Sequence, residues 1–354
     1  MSCTIVLQNF DGSYYPGSSI SGYVVCTFVN EKKIRGVRVK LRGTEQTSWW
    51  ERESYWDSRQ KKTSYKNVHY TGKNKFLSET LISFGKGTMN PGRYEYPFTF
   101  ILPRNLPETF KGIHGYIIYY IKANVDIPFA IDYEDEKMFD VPAPIDFNDI
   151  KSQLALAPSS YQDEKTVCCC CCADGPITLD VHLQKEAFVV GENAKIVIDV
   201  KNFSNKNIDR ILLTLKTVIT YTTTSPSRHH KYFSEVLAST SAGGVGAHGQ
   251  SMLELAFEIP TSATVFNFNR CTLFQQSFTL EVKAELPGLH LNMNIKIGLV
   301  IGHIPIRGVQ IQPFHHILYP SSAIRNVYIF RPTSTIPSSK RNRTSRGFFT
   351  NCPS

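Results

Sequence analysis

The feature that most constrains this chain is that it repeats itself. Displaced by 174 residues, the interval from Gly17 to Gly191, the segment YYPGSSISGYVVCTFVNEKKIRGVRVKLRG falls over FVVGENAKIVIDVKNFSNKNIDRILLTLKT. Val24 then meets Ile198, Ile34 meets Ile208, and Val37, Val39 and Leu41 meet Ile211, Leu213 and Leu215. Further on the displacement shortens. Residues 97–107 (PFTFILPRNLP) fall over 254–264 (ELAFEIPTSAT), with Phe100 over Phe257 and Pro103 over Pro260. YYIKANV falls over TLEVKAEL with Lys122 and Ala123 on Lys283 and Ala284. A repeat with changing displacement means two copies of one framework whose surface loops differ in length.

Each copy reads as β-structure. Residues 19–28 (SISGYVVCTF), 37–41 (VRVKL), 96–102 (YPFTFIL) and 116–125 (YIIYYIKANV) are rich in β-branched and aromatic side chains and are punctuated by Gly, Pro, Asn or Asp. In VRVKL the apolar Val37, Val39 and Leu41 share one face and Arg38 and Lys40 the other, the period of a half-buried strand. Gly17 and Gly191 precede strands, where a turn with positive φ is expected. Pro103 and Pro260 close strands, because proline cannot continue a central ladder. No window sustains a capped amphipathic helix, although 145–156 has room for a short one. Many short strands at this spacing predict an all-β protein of two tandem β-sandwiches. A chain of 354 residues also exceeds what a single core supports. The expected units are 1–150, a linker over 151–175, a second sandwich over 176–311, and a polar, basic, disordered tail over 312–354.

With 42% hydrophobic and 19% charged residues the chain can bury a core. Its densest apolar run, YIIYYI at 116–121, is strand-sized and far short of a membrane span. The opening MSCTIVLQNFDGSYYPG has neither the basic nor the apolar region of a signal peptide, and nine cysteines, five of them adjacent, make a poor disulfide framework. Both point to a reducing, cytoplasmic setting. Sequons at Asn202 and Asn342 point outward to an extracellular β-sandwich module, the contrasting reading. The net charge of +9 comes without a helix-turn-helix, zinc-finger or RNP signature. The partner it implies is an anionic membrane surface or an acidic peptide, not nucleic acid.

Two segments are candidate sites. Cys168, Cys169, Cys170, Cys171 and Cys172 lie just before GPITLDV. Adjacent side chains of an extended segment point to opposite faces, so the five cannot wrap one ion, and a disulfide between neighbours is strained. Reversible S-acylation, which would give peripheral membrane association together with basic residues, and simple packing at the junction remain open. The loop at 58–67 (SRQKKTSYKN) carries Arg59, Lys61, Lys62 and Lys66, placed to meet acidic cargo or anionic lipid if it is not merely a solvated loop. The paired histidines His229–His230 and His315–His316 read as solvated loop residues, and Asp132 to Lys137 as a solvated hairpin. Trp49, Trp50 and Trp56 flank charged residues in WWERESYW; Trp49 reads as core, whereas an exposed tryptophan there is able to anchor a partner. SAGGVGAHG at 241–249 lacks the lysine and following helix of a phosphate loop and reads as a flexible hairpin. Hydrolase, nucleotide-binding and zincin motifs are missing from the sequence, so no enzyme activity and no cofactor are expected.

The ordered set YYPGSSISGYVV, IRGVRVKLRGTEQTSWWE, PGRYEYPFTFILPRNLPETFKGIHGYIIYYIKANVD, GPITLDVHLQKEAFVVGENAKIVIDVKN and FTLEVKAELPGLHLNMNIKIGLVIGHIPI resembles the arrestins, in particular the α-arrestins or arrestin domain-containing proteins, over about residues 3–311. The resemblance implies two arrestin-type immunoglobulin-like β-sandwich domains. It also implies a cytoplasmic adaptor that binds cytoplasmic segments of membrane receptors or transporters, is recruited to the plasma membrane or endosomes, and directs endocytosis or endosomal sorting. Many α-arrestins recruit HECT-type ubiquitin ligases through PPxY motifs that dock on WW domains. This chain has no PPxY; its nearest string is Pro158-Ser159-Ser160-Tyr161. A trafficking subunit without ligase recruitment, similar to the arrestin-like subunit of retromer, is the alternative within that fold.

Overall fold

Alternation of apolar and polar residues produces strands with one face against a core, and the computed structural model stacks them into two sandwiches. It describes residues 2–169, 172–288, 292–308 and 327–328, with 167–169, 172–174 and 327–328 by backbone alone. In the first sandwich β1 (Ser2–Leu7), β2 (Ser19–Phe28) and β7 (Gly92–Ile101) form one sheet in the order β1-β2-β7. The facing sheet runs β10 (Tyr133–Phe139), β9 (Gly115–Asp126), β4 (Gly36–Asp57), β5 (Lys62–Phe84), with β8 (Phe110–Gly112) beside β9. A ribbon of β3 (Lys32–Ile34) and β6 (Gly87–Met89) completes it.

The second sandwich pairs β11 (Ser159–Cys169), β12 (Cys172–Leu183), β14 (Asn193–Asn202) and β17 (Gln250–Glu258) in that order, with the two-residue β20 (Val327–Tyr328) beside β17. Opposite lie β13 (Ala187–Val189), β19 (Met293–Gly302), β18 (Phe274–Glu285), β15 (Ile208–Thr222) and β16 (His230–Val245).

The repeat survives down to single hydrogen bonds. Gly17 and Gly191 adopt φ of 84° and 80°, the left-handed turn that glycine enters without strain. The Gly17 amide donates to the Leu102 carbonyl at 3.0 Å, and the Gly191 amide donates to the Ile259 carbonyl at 2.8 Å. Leu102 and Ile259 return bonds to Ser18 and Glu192. Val24 and Ile198, and Val37, Val39 and Leu41 with Ile211, Leu213 and Leu215, are all fully buried.

Four expectations need correction. Val39 pairs with Ala123 and Leu213 with Val282, so the counterpart of Ala123 is Val282 and not Ala284. A slip of two residues keeps every side chain on its own face, so alternation alone does not detect it. The 145–156 stretch holds only a 3₁₀ turn, Lys151–Gln153. The segment expected as a linker contributes β11, whose partners run from Ser159 opposite Leu183 to Cys169 opposite Cys172. As an edge strand it is held by ladder bonds and carries polar residues such as Gln162, Asp163 and Glu164, which read like a linker in one dimension. The glycine-rich 241–249 stretch is no hairpin: it ends β16 in one sheet and crosses to β17 in the other.

Candidate partner-binding surface

The two sandwiches are joined by a shared core. The apolar cluster of the first sandwich continues through Ile219, Tyr221, Leu273 and Phe274 of the second. Phe110 is the pivot, with ring centroids 4.7 Å from Phe266, 5.0 Å from Phe268 and 5.3 Å from Phe274. Edge-to-face packing of this kind adds about 0.5–1.5 kcal/mol per pair beyond area burial. Gly112 is required here, since a Cβ would lie 2.3 Å from the Tyr221 hydroxyl.

Beside this aromatic cluster sits a charged residue that is fully buried. Glu45 on β4 accepts hydrogen bonds from Asn74 Nδ2 at 2.7 Å, from the Thr272 amide and hydroxyl at 2.9 Å each, and from the Leu273 amide at 3.0 Å. Four donors replace the water that a buried carboxylate gives up. Nearby, Thr47 donates its hydroxyl proton to the Thr222 carbonyl at 2.6 Å. The Thr71 amide donates to Ser225, while the Thr224 and Ser225 amides donate back to the Thr71 carbonyl. The loop between β15 and β16 is thereby fastened to β5.

From this junction β4 and β5 run on as a long arm. At its root Trp49 is buried, stacked 6.3 Å from Tyr70 and packed 5.6 Å from His114, with the Lys231 ammonium 5.6 Å above its ring. Glu51 reaches His229 at 3.3 Å and Lys231 at 3.5 Å. His229 also lies 4.6 Å from the Tyr70 ring, so it belongs to the domain contact and is not the solvated residue expected from its sequence. Burial and the nearby Lys231 push the His114 imidazole below its ordinary value, which favours the neutral ring. The Tyr70 hydroxyl donates to Glu53, which lowers the Glu53 carboxyl and raises the Tyr70 phenol.

Beyond residue 50 the inward alternation fades. Trp50 and Trp56 are 65% and 63% exposed, and Tyr55 and Tyr65 are also turned to solvent. Trp50 stacks on His69 at 4.4 Å, and the Arg52 guanidinium lies 4.2 Å over the Tyr65 ring. At the tip Asp57 Oδ1 accepts the Arg59 and Gln60 amides at 2.9 and 3.1 Å, and Lys61 takes a φ of 49°. This Asx turn points Arg59, Lys61 and Lys62 into solvent without an ion-pair partner among the described residues. Lys66 sits further down, 3.5 Å from Glu53. The structure thus brings three of the four basic candidates together and adds Tyr55 and Tyr65, which the sequence reading had not singled out. A cleft of about 340 Å³ opens at the junction, lined by Thr222, Arg228, His230, Phe268, Cys271 and Gln276 among others.

The other candidates fall elsewhere. Cys168 and Cys169 close the β11–β12 hairpin opposite Ala173 and Cys172, while Cys170 and Cys171 lie outside the described residues. His315–His316, Asn342 and nearly all of the expected tail also lie outside them. Asn202 is fully buried and donates to the carbonyls of Lys206, Val245 and Gly246, which denies it to glycosylation in the folded chain. Asp132 to Lys137 is mostly strand β10, with Asp132 accepting from Asn124 and the Ile127 amide. The PSSY string is folded: Ser159 begins β11, and the Tyr161 hydroxyl donates to Glu186 at 2.5 Å. Among the described residues no group of three or more His, Cys, Asp or Glu is placed to hold a metal ion, and no helix is long and apolar enough to cross a membrane.

Comparison with known proteins decides the family. The model of the arrestin (or S-antigen) N-terminal domain matches residues 3–148, and that of the C-terminal domain matches residues 173–306. The chain belongs to the arrestin family. It is similar to arrestin domain-containing protein 4 of Mus musculus, 24% identical over 305 residues that cover 84% of this chain and 70% of that protein. Arrestin domain-containing protein 17 of Caenorhabditis elegans is 24% identical over 312 residues, covering 85% and 70%. Thioredoxin-interacting protein of Mus musculus is 26% identical over 243 residues, covering 67% and 58%. The tandem sandwiches are therefore arrestin domains, and the resemblance to the α-arrestin branch holds. Arrestin-domain proteins are non-catalytic adaptors, and this arrestin is one.

Proposed function

We propose that this arrestin is a cytoplasmic adaptor that binds cytoplasmic segments of membrane receptors or transporters and directs their endocytosis or endosomal sorting. The observation that carries the reading is the β4–β5 arm. It combines exposed Trp50, Tyr55, Trp56 and Tyr65 with Arg59, Lys61 and Lys62, which have no ion-pair partner among the described residues, on a base locked to both domains. Aromatic side chains supply contact area at low entropic cost, and unpaired cations select acidic segments or an anionic bilayer surface. Binding is non-covalent. Cys168–Cys172, if acylated, would add a second membrane signal.

A second reading, a sorting subunit that does not recruit ubiquitin ligases, is favoured by one observation. The string nearest to a PPxY motif is committed to strand β11 through Tyr161 and cannot lie in a WW-domain groove as an extended ligand.

Affinity purification of the full chain from cells, beside an Arg59→Glu, Lys61→Glu, Lys62→Glu variant and an all-serine Cys168–Cys172 variant, tests these readings. A receptor or transporter lost on charge reversal supports the first. WW-domain ligases among the partners would remove the second, and sorting-coat subunits without ligase would favour it. Recovery of neither cargo nor trafficking machinery by a folded bait would overturn both.

A further inference from the structure

Cys3 on β1 and Cys26 on β2 stand directly opposite one another in an antiparallel pair. Both face the core and both are free thiols. Their position in the ladder follows from the neighbouring bonds. The Gln8 amide donates to the Ser21 carbonyl, so the pair of Gln8 and Ser21 is hydrogen-bonded, and every second pair after it is too. Cys3 and Cys26 therefore occupy a non-hydrogen-bonded pair, as do Ile5 and Val24. The Ile5 amide accordingly points away from β2 and donates to Asp135 Oδ2 at 2.7 Å. In such pairs the Cα atoms approach to about 4.5 Å, inside the roughly 4.4–6.8 Å that a disulfide spans.

We propose that Cys3 and Cys26 form a reversible cross-strand disulfide that fastens edge strand β1 to the sheet, with glutathione disulfide as the oxidant. The inference is independent of the adaptor reading. β1 and β7 are the two edges of this sheet, and β1, with 6 residues against the 10 of β7, has fewer ladder bonds to break and lifts more readily. In the closed sheet the Cys26 thiol, burial and the carboxylates of Asp135 and Glu134 hold the Cys3 thiol protonated, while contact with Cys3 lowers the Cys26 thiol. Lifting β1 frees Cys3 from all three and returns it to ordinary thiol chemistry.

The Cys3 thiolate then attacks one sulfur of glutathione disulfide, and the breaking S–S bond releases one glutathione thiolate. When β1 returns, the Cys26 thiolate attacks the Cys3 sulfur of the mixed disulfide and expels the second glutathione. Two protein thiols lose two electrons, glutathione disulfide gains them, and the two protons go to the departing thiolates. Closure leaves β1 tethered; reduction leaves it able to release and expose the edge of β2, where an extended segment could add as a strand.

The test equilibrates the full chain in buffers of varied reduced and oxidised glutathione, alkylates free thiols on unfolding, and maps cysteines without reduction. The first Lys or Arg after Cys3 is Lys32, so trypsin leaves both cysteines in one peptide and chymotrypsin is the appropriate protease. The expected result is a linked Cys3–Cys26 peptide that appears in oxidising and disappears in reducing buffer. Slower amide exchange in β1 and a thermal midpoint several degrees higher should accompany it. Cys3→Ser should leave Cys26 alkylatable and abolish both shifts. If the wild-type chain, folded by circular dichroism, keeps both cysteines alkylated at every ratio, or links them only to Cys168–Cys172, the proposal is wrong. The wild-type map decides even if a variant fails to fold.

Discussion

The Leu273 amide of the second sandwich donates to the Glu45 carboxylate of the first at 3.0 Å, across a domain junction from which water is excluded. With Asn74 and Thr272 bound to the same carboxylate, Glu45 specifies how the two arrestin domains meet. Glu45→Ala leaves buried donors without an acceptor and should cost about 3 kcal/mol. Glu45→Gln, which retains an acceptor oxygen, should cost less. Urea unfolding of both variants against the wild type measures the difference, and equal losses would show that an amide of the same shape cannot replace the carboxylate at all.

A steric prediction concerns the same junction. Gly112→Ala places a methyl 2.3 Å from the Tyr221 hydroxyl and 2.6 Å from the Phe110 ring. Overpacking should destabilise the chain by about 1–3 kcal/mol. Adding Tyr221→Phe removes one of the two collisions and should restore part of the lost thermal midpoint. No recovery in the double variant would place the clash on Phe110 alone.

Acid should loosen the segment that leads from one sandwich to the next. His303 Nδ1 accepts the Ile145 amide at 3.0 Å, a role open only to the neutral ring, and burial pushes its pKa below the ordinary 6.5. A folded value below the unfolded one means that the unfolded chain takes up more protons, so stability rises with pH through this window. The contribution is full above 6.5 and is lost as pH falls through the folded value; His114, also lowered by burial, acts in the same direction. Urea midpoints should fall between pH 7.5 and 5.5 for the wild type and fall less for His303→Asn, whose amide oxygen retains an acceptor. An unchanged slope in that variant would assign the effect elsewhere.

On the surface, the Arg210 and Lys283 side chains bonded to Glu285 depress its carboxyl to about 2. The favourable interaction is present above the ordinary carboxylate value of 4.5 and disappears as pH falls toward about 2. A carboxyl-carbon NMR titration should find Glu285 ionised at pH 3.5, and Arg210→Met should move it back toward the usual range. An ordinary titration in the wild type would contradict the pairing.

The framework was legible because each copy carries its own alternation, and Val24, Ile198, Leu41 and Leu215 are buried where that pattern puts them. What period two cannot encode is a slip of two, which displaced Ala123 by one pleat repeat from its true counterpart Val282. Strand β11 was hidden because an edge strand is held by its backbone and needs little apolar signal. The basic tip residues were visible as a cluster of Arg59, Lys61 and Lys62. The fading of alternation after Trp50 was the available sign that Tyr55 and Tyr65 stand in solvent. Glu45 gave no such sign: its four donors come from Asn74 and from residues over two hundred positions away, and a lone glutamate inside RGTEQT looks like any surface carboxylate.

The most direct test of the adaptor account places a photoactivatable cross-linking amino acid at position 56 of the full chain in cells and identifies what it captures by mass spectrometry. The account predicts covalent capture of a cytoplasmic segment of an integral membrane receptor or transporter, reduced when Arg59, Lys61 and Lys62 are reversed to glutamate. Capture of only soluble proteins unconnected with membrane traffic, unchanged by that charge reversal, would contradict it.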